Sequence, residues 1–153
     1  MASTTFSGPV TSTNGFIGNL TGNVTGNIAG SGSITHATTA AINATATATA
    51  AEVATGYITS TSVGTVTITL PTGTLLGAAL GAAQGTVFDL YIDNTAGAST
   101  VTVAVATNGI LSTAAADTAG SFGDLTIASG VTGVARFTLM FSSATAYVFT
   151  RTA

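Results

Sequence analysis

Seven side chains in this sequence carry a formal charge: Glu52, Asp89, Asp93, Asp117, Asp124, Arg136 and Arg151. Together with a single histidine, His36, they are the whole stock for acid–base chemistry. A hydrolytic triad needs a histidine held between an activated serine and a carboxylate, and His36 stands in a run of alanine and threonine. No Gly-x-Ser-x-Gly elbow occurs, and Gly120-Ser121-Phe122-Gly123 reads as a loop. A zinc site needs several cysteine or histidine ligands, and the chain has no cysteine. Asp89 and Asp93 share one face of an expected strand, about 13 Å apart, too far for a glycosidase pair, so both read as solvent-facing charges. Asp117 and Asp124 flank a loop and could offer calcium two carboxylates beside backbone oxygens, but without EF-hand spacing. The absence of lysine excludes a phosphate-cradling loop of the usual kind. Asn19, Asn23 and Asn43 open Asn-x-Thr triplets. With no leader expected, these read as by-products of a repeat rather than glycosylation acceptors. The expectation is a protein without catalytic, cofactor or metal site, and so not an enzyme.

The composition narrows the partners. Charged residues make up 5% of 153, against a usual quarter. Two arginines are the only cations, too few for sequence-independent nucleic-acid binding or for an anionic membrane surface. Mean hydropathy is high at +0.61, yet no run of 18 apolar residues exists, so no transmembrane helix is expected. Met1 to Phe6 lacks a basic and an apolar region, so no secretory leader is expected. The missing cysteines leave the redox compartment open. A surface this poor in charge is poorly soluble alone, which favours a chain largely covered by partners.

The elements that would position these residues begin with a repeat. Gly18 to Ala29 reads Gly-Asn-Leu-Thr, Gly-Asn-Val-Thr, Gly-Asn-Ile-Ala. In an extended strand the even period puts Leu20, Val24, Ile28 and the glycines on one face, with asparagine and threonine on the other. A helix would smear that pattern and suffer from the glycines. One aliphatic side chain every four residues is too little apolar surface to offset the ordering entropy. The stretch is therefore read as an arm that orders in an oligomer or on a partner surface; a flexible linker is the alternative. Its expected contact residues are Phe16, Leu20, Val24, Ile28 and Ile34. Gly30 to Ser33 breaks the pattern, and Ala44 to Ala50 alternates alanine with threonine, as an extended chain does. Around Ala50 to Ala54 a short helix competes with it.

Composition shifts at Tyr57, which marks an expected boundary between an arm over 1–56 and a globular domain over 57–153. Val66, Ile68 and Leu70 alternate inward before Pro71-Thr72-Gly73. Leu75 to Ala83 has helical spacing, with an end near Gly85. Val87 to Asp93 reads as a strand with Phe88, Leu90 and Ile92 on one face and Asp89, Tyr91 and Asp93 on the other. Asn94 to Ala98 reads as a hairpin turn into Val101, Val103 and Val105. Short strands follow at Ile110–Leu111 and 125–128. Ala135, Phe137, Leu139 and Phe141 point inward, with Arg136, Thr138 and Met140 outward, and Ala146 to Arg151 closes the domain. Seven or eight short strands with regular turns predict an all-β fold: an extended arm, then a small antiparallel β-sandwich of jelly-roll type with one short helix.

The Gly-Asn-x-Thr run and the Ala/Thr stretch over 37–50 resemble segments of bacteriophage tail fibres and head-surface fibres. Val66-Thr67-Ile68-Thr69-Leu70-Pro71, Ile92-Asp93-Asn94-Thr95-Ala96-Gly97 and Ala146-Tyr147-Val148-Phe149 resemble C-terminal domains of small phage virion proteins. The resemblance implies a homotrimeric structural protein of the virion. Within that class it implies a capsid decoration or cement protein whose partners are its own copies and the major capsid protein. A tail-fibre or receptor-binding tip, presenting the loop 112–123, is the alternative. A remote third reading is an ice- or crystal-binding surface built on Thr45 to Thr49 and Thr65 to Thr69.

Overall fold

In a computed structural model the chain divides into two units, Met1–Ser33 and Ile34–Ala153. The structure describes residues 39–111 and 125–152, all within the second unit. The arm residues Phe16, Leu20, Val24, Ile28 and Ile34 lie outside the described residues, as do His36, Asp117, Asp124 and the loop 112–123.

The described chain begins as a coil. Strand β1 (Ala40–Ala41) is followed by β2 (Ala46–Thr47) and helix α1 (Ala50–Ala54). The same order returns as β3 (Tyr57–Thr59), β4 (Val66–Leu70) and helix α2 (Gly73–Leu80). It returns again as β5 (Val87–Asp93) and β6 (Val101–Val105). Odd strands stack in one sheet and even strands in the other, each parallel to the strand one turn before. In-register columns run Ala40–Ile58–Ile92 in the first sheet and Ala46–Ile68–Val103 in the second.

The coil then gives way to antiparallel pairing. β7 (Gly109–Leu111) stands where a third helix would follow β6. β8 (Thr126–Ile127) runs antiparallel to β6. A 3-10 turn at Gly130–Thr132 leads into β9 (Val134–Ser143), which pairs antiparallel with β5 and, through a turn at 144–145, with β10 (Ala146–Arg151). The sheets are therefore β1-β3-β5-β9-β10-β7 and β2-β4-β6-β8.

This overturns the expected all-β antiparallel jelly roll. Both sheets mix parallel and antiparallel pairs, and two helices are present among the described residues. The physical reason is that alternation reports only which face of a strand is buried. It is the same in a parallel ladder whose other face meets water. The expected hairpin between β5 and β6 is instead a corner that passes the chain from one sheet to the other. Asn94 fixes that corner. Its side chain is fully buried, and its Nδ2 donates to the carbonyls of Ser99, Ile127 and Ala128 at 2.8, 3.3 and 3.0 Å.

Each helix has a local cause. Thr49 and Glu52 form a reciprocal capping box at the start of α1, which settles the Ala50–Ala54 competition in favour of helix. In α2, the Thr72 hydroxyl accepts from the Leu75 N–H, so the helix begins at Gly73, before the expected Leu75. Gly81, at φ 58°, ends it in the left-handed conformation. Gly73 and Gly77 lie one helical turn apart and face the β9–β10 turn so closely that a Cβ at either would collide with a carbonyl of Thr145 or Ala144.

Residues of both sheets and both helices share one hydrophobic cluster. Ile58, Leu90, Ile92, Phe137, Leu139 and Phe149 meet Val66, Ile68, Leu70, Val103 and Ile127 there, all at most 2% exposed. Phe137 and Phe149 stack at 4.8 Å between centroids. Tyr147, fully buried, donates its hydroxyl to the Pro71 carbonyl at 3.0 Å. Burial of that phenol pushes its pKa up to about 12.

Candidate interaction face

The six-stranded sheet turns one face to the core and the other outward. Strand alternation puts Asp89, Tyr91 and Asp93 of β5 on the outer face, with Arg136, Thr138 and Met140 of β9 beside them. Register sets Tyr57, Tyr91 and Arg136 in one row and Asp89 opposite Thr138 in the next. The Arg136 guanidinium donates to Asp89 Oδ2 at 2.6 Å and lies 6.0 Å from the centre of the Tyr91 ring. The Thr138 hydroxyl donates to Asp89 Oδ1 at 2.8 Å. Partial burial pushes the Asp89 carboxyl up, but hydrogen bonds from Arg136 and Thr138, with the arginine charge, outweigh it and hold the group below its ordinary value. The Arg136 guanidinium is correspondingly raised, first by that hydrogen bond.

Asp93 is satisfied separately. The Thr95 hydroxyl and N–H donate to Oδ1 at 2.6 and 2.8 Å, and the Tyr57 hydroxyl donates to Oδ2 at 2.6 Å. The Thr95 hydroxyl, the Tyr57 hydroxyl and the Thr95 amide together lower the Asp93 pKa. The Tyr57 phenol is raised in return, chiefly by its bond to Asp93. Both carboxylates are thus absorbed in hydrogen bonds on the sheet surface. Among the described residues no three metal-ligating side chains gather.

Beside the polar rows runs an apolar one. Val87 pairs with Met140, Met140 with Val148, and Val148 with Ile110. The row crosses β5, β9, β10 and β7. Val87, Met140 and Ile110 are 60%, 54% and 57% exposed, and Val148 is half-buried between them. Sequence reasoning placed Met140 outward but missed the row. Its members are far apart in the chain, and only the pairing register aligns them.

The four-stranded sheet has a different outer face. Thr67, Thr102 and Thr126 align across β4, β6 and β8, and Thr47 aligns with Thr69. The Thr45 hydroxyl accepts from the Thr67 N–H at 3.1 Å. The two Thr-x-Thr runs singled out in the sequence therefore lie on neighbouring turns of the coil. Asn43, one of the Asn-x-Thr asparagines, accepts from the Thr61 N–H through Oδ1 at 2.8 Å, so its side chain braces the next turn.

Compared with known families, curated proteins and solved structures, the chain matches none.

Proposed function

We propose that the chain is a structural assembly protein of a bacteriophage virion. It decorates and stabilises the capsid as a homotrimer, with the major capsid protein as the other partner. The observation that carries the assembly part is the outer face of the six-stranded sheet, where a nearly charge-free chain collects exposed valine, methionine and isoleucine beside tyrosine and arginine. Methionine, tyrosine and arginine are the residue types enriched at the centres of protein interfaces. The virion part rests on the resemblance of the Gly-Asn-x-Thr run to phage fibres. In this reading Phe16, Leu20, Val24, Ile28 and Ile34 make the capsid contacts. Quantitative mass spectrometry with electron cryo-microscopy of purified particles tests it. Hundreds of copies over the head are expected. A handful at the tail would move the function to adsorption by a tail-fibre tip.

A second reading has its own observation. Threonine hydroxyls on aligned coil turns repeat at about 4.8 Å between strands and about 6.7 Å along them, a spacing suited to ordered water at an ice or crystal surface. The full chain should then slow ice recrystallisation, and Thr102→Tyr should abolish the effect. No slowing by the wild type at high concentration would remove this reading.

A further inference from the structure

We propose that the outer face of the six-stranded sheet is the surface on which a second copy of this chain docks, with the Val87–Met140–Val148–Ile110 row at the contact. The inference rests on the reading of the chain as a self-assembling protein and names the surface that does it.

Three features select another copy as the occupant. The first is size. The six strands hold 31 residues, a face of about 500 Å² at about 3.3 Å per residue and about 4.8 Å between strands, the size of the smaller specific interfaces, which bury under about 600 Å² on each partner. The second is charge. The face holds Asp89, Asp93 and Arg136, which leaves it one charge from neutral. A face of one sign would repel its own copy, and a basic face would suit nucleic acid or an anionic membrane; this one does neither. The third is that its charges arrive already partnered. Arg136 is bonded to Asp89, and Asp93 holds Tyr57 and Thr95. Covering them therefore leaves no carboxylate stripped of water and unpaired, the usual cost of burying such groups. A three-fold axis beside the apolar row brings the row of each copy against the same face of the next, the head-to-tail contact that closes a ring.

The test uses the full chain in sedimentation velocity over a concentration series. Met140→Asp and Val87→Asp each put a charge on the row without touching the core. Val63→Asp is the control, because Val63 is 88% exposed on the β3–β4 loop, away from this face. Circular dichroism melts verify folding of each variant. The expected result is that the wild type associates, either row variant weakens association at least 100-fold, and Val63→Asp leaves it unchanged. Folded row variants that associate like the wild type overturn the inference. So does loss of association in Val63→Asp alone, or a wild type that stays monomeric. A wild-type dimer broken by Met140→Asp supports the face while overturning the trimer. Trimers broken in the same way but absent from particles support the face while overturning the virion reading. Should both variants fail to fold, peroxide oxidation of Met140 in the wild type replaces them. Its rate should fall at least tenfold on association, and an unchanged rate overturns the inference.

Discussion

Tyr147 offers a titration that few proteins allow so cleanly. The chain has no lysine and no cysteine, and its tyrosines number three, so between pH 9 and 12 the phenols dominate. Burial raises the Tyr147 phenol from 10.0 to about 12. Below pH 10 the phenol is neutral in folded and unfolded chains alike, and its contribution to stability is whole. Above pH 10 the unfolded chain gives up the proton while the folded chain holds it, so stability falls as the pH rises toward the folded value. The loss is about 1.4 kcal/mol per pH unit, or about 2.7 kcal/mol across the two units. Tyr147→Phe removes this loss but also removes the hydrogen bond to the Pro71 carbonyl. Leaving that buried acceptor unpaired costs about 1–3 kcal/mol. The variant should therefore be less stable at pH 8, and the two stability curves should converge above pH 10, crossing by about pH 12 where the lost hydrogen bond is worth less than about 2.7 kcal/mol. Tyr57, whose phenol is also raised, is present in both proteins and cancels in the difference. Urea denaturation at half-unit steps from pH 8 to 12 measures it. A gap that stays constant over that range would refute the account of Tyr147 as a buried, neutral strut.

Three further outcomes follow from the fold. Gly77→Ala should lower the melting temperature, because the Cβ collides with the Ala144 carbonyl. The overpacking cost of about 1–3 kcal/mol opposes a helix-propensity gain of about 1 kcal/mol, while Gly64→Ala, with open space around it, should leave it nearly unchanged. Asn94→Asp should destabilise by about 3 kcal/mol or more at pH 7, since a buried carboxylate would face the three carbonyls that Nδ2 now serves; denaturation at pH 4 should recover part of the loss as the carboxyl gains its proton. Asp89 and Asp93 both have lowered folded pKa values, so their contribution is present above the ordinary carboxylate pKa near ~4 and is lost as pH falls through the folded values. Melts from pH 5 to 2 should show a shallower acid slope for Asp89→Asn than for the wild type.

Much of the burial pattern was legible in the sequence and little of the topology. Val66, Ile68 and Leu70 are buried as the alternation says, and so are Leu90, Ile92, Phe137 and Leu139. Arg136, Thr138 and Met140 point outward as read. Each of these follows from the two-residue period of a strand, a local property. Parallel stacking is not local. β3 finds β5 only after a helix has carried the chain back, and nothing in Tyr57–Thr59 distinguishes that partner from an antiparallel one. The corner at Asn94 imitates a hairpin turn because both need a polar residue that satisfies backbone groups. What differs is that Asn94 reaches carbonyls 33 and 34 residues away. The row on the outer sheet face has the same origin. Asp89 and Arg136 are 47 residues apart, and the Val87–Met140–Val148–Ile110 row needs three separate registers to exist.

Arm and sheet face make separable demands, and that separation is testable in one experiment. β1 and β2 end their sheets on the same side of the coil, each only two residues long. No charged residue precedes Glu52, so these edges are guarded by shortness rather than by charge. The Val87–Met140 pair lies on β5 and β9, two and three strands along the sheet from β1. If the arm holds the capsid and the face holds the copies, the two substitutions dissociate. Val24→Asp should leave trimers intact in sedimentation and abolish capsid binding. Met140→Asp should give monomers whose arms still bind capsids, but weakly, because linking binding elements multiplies affinity by about 10² or more. A Val24→Asp chain that binds capsids like the wild type would sink the arm as the capsid contact. A Met140→Asp chain that binds with undiminished affinity would show that the trimer contributes no avidity, and the division of labour between arm and face would fall with it.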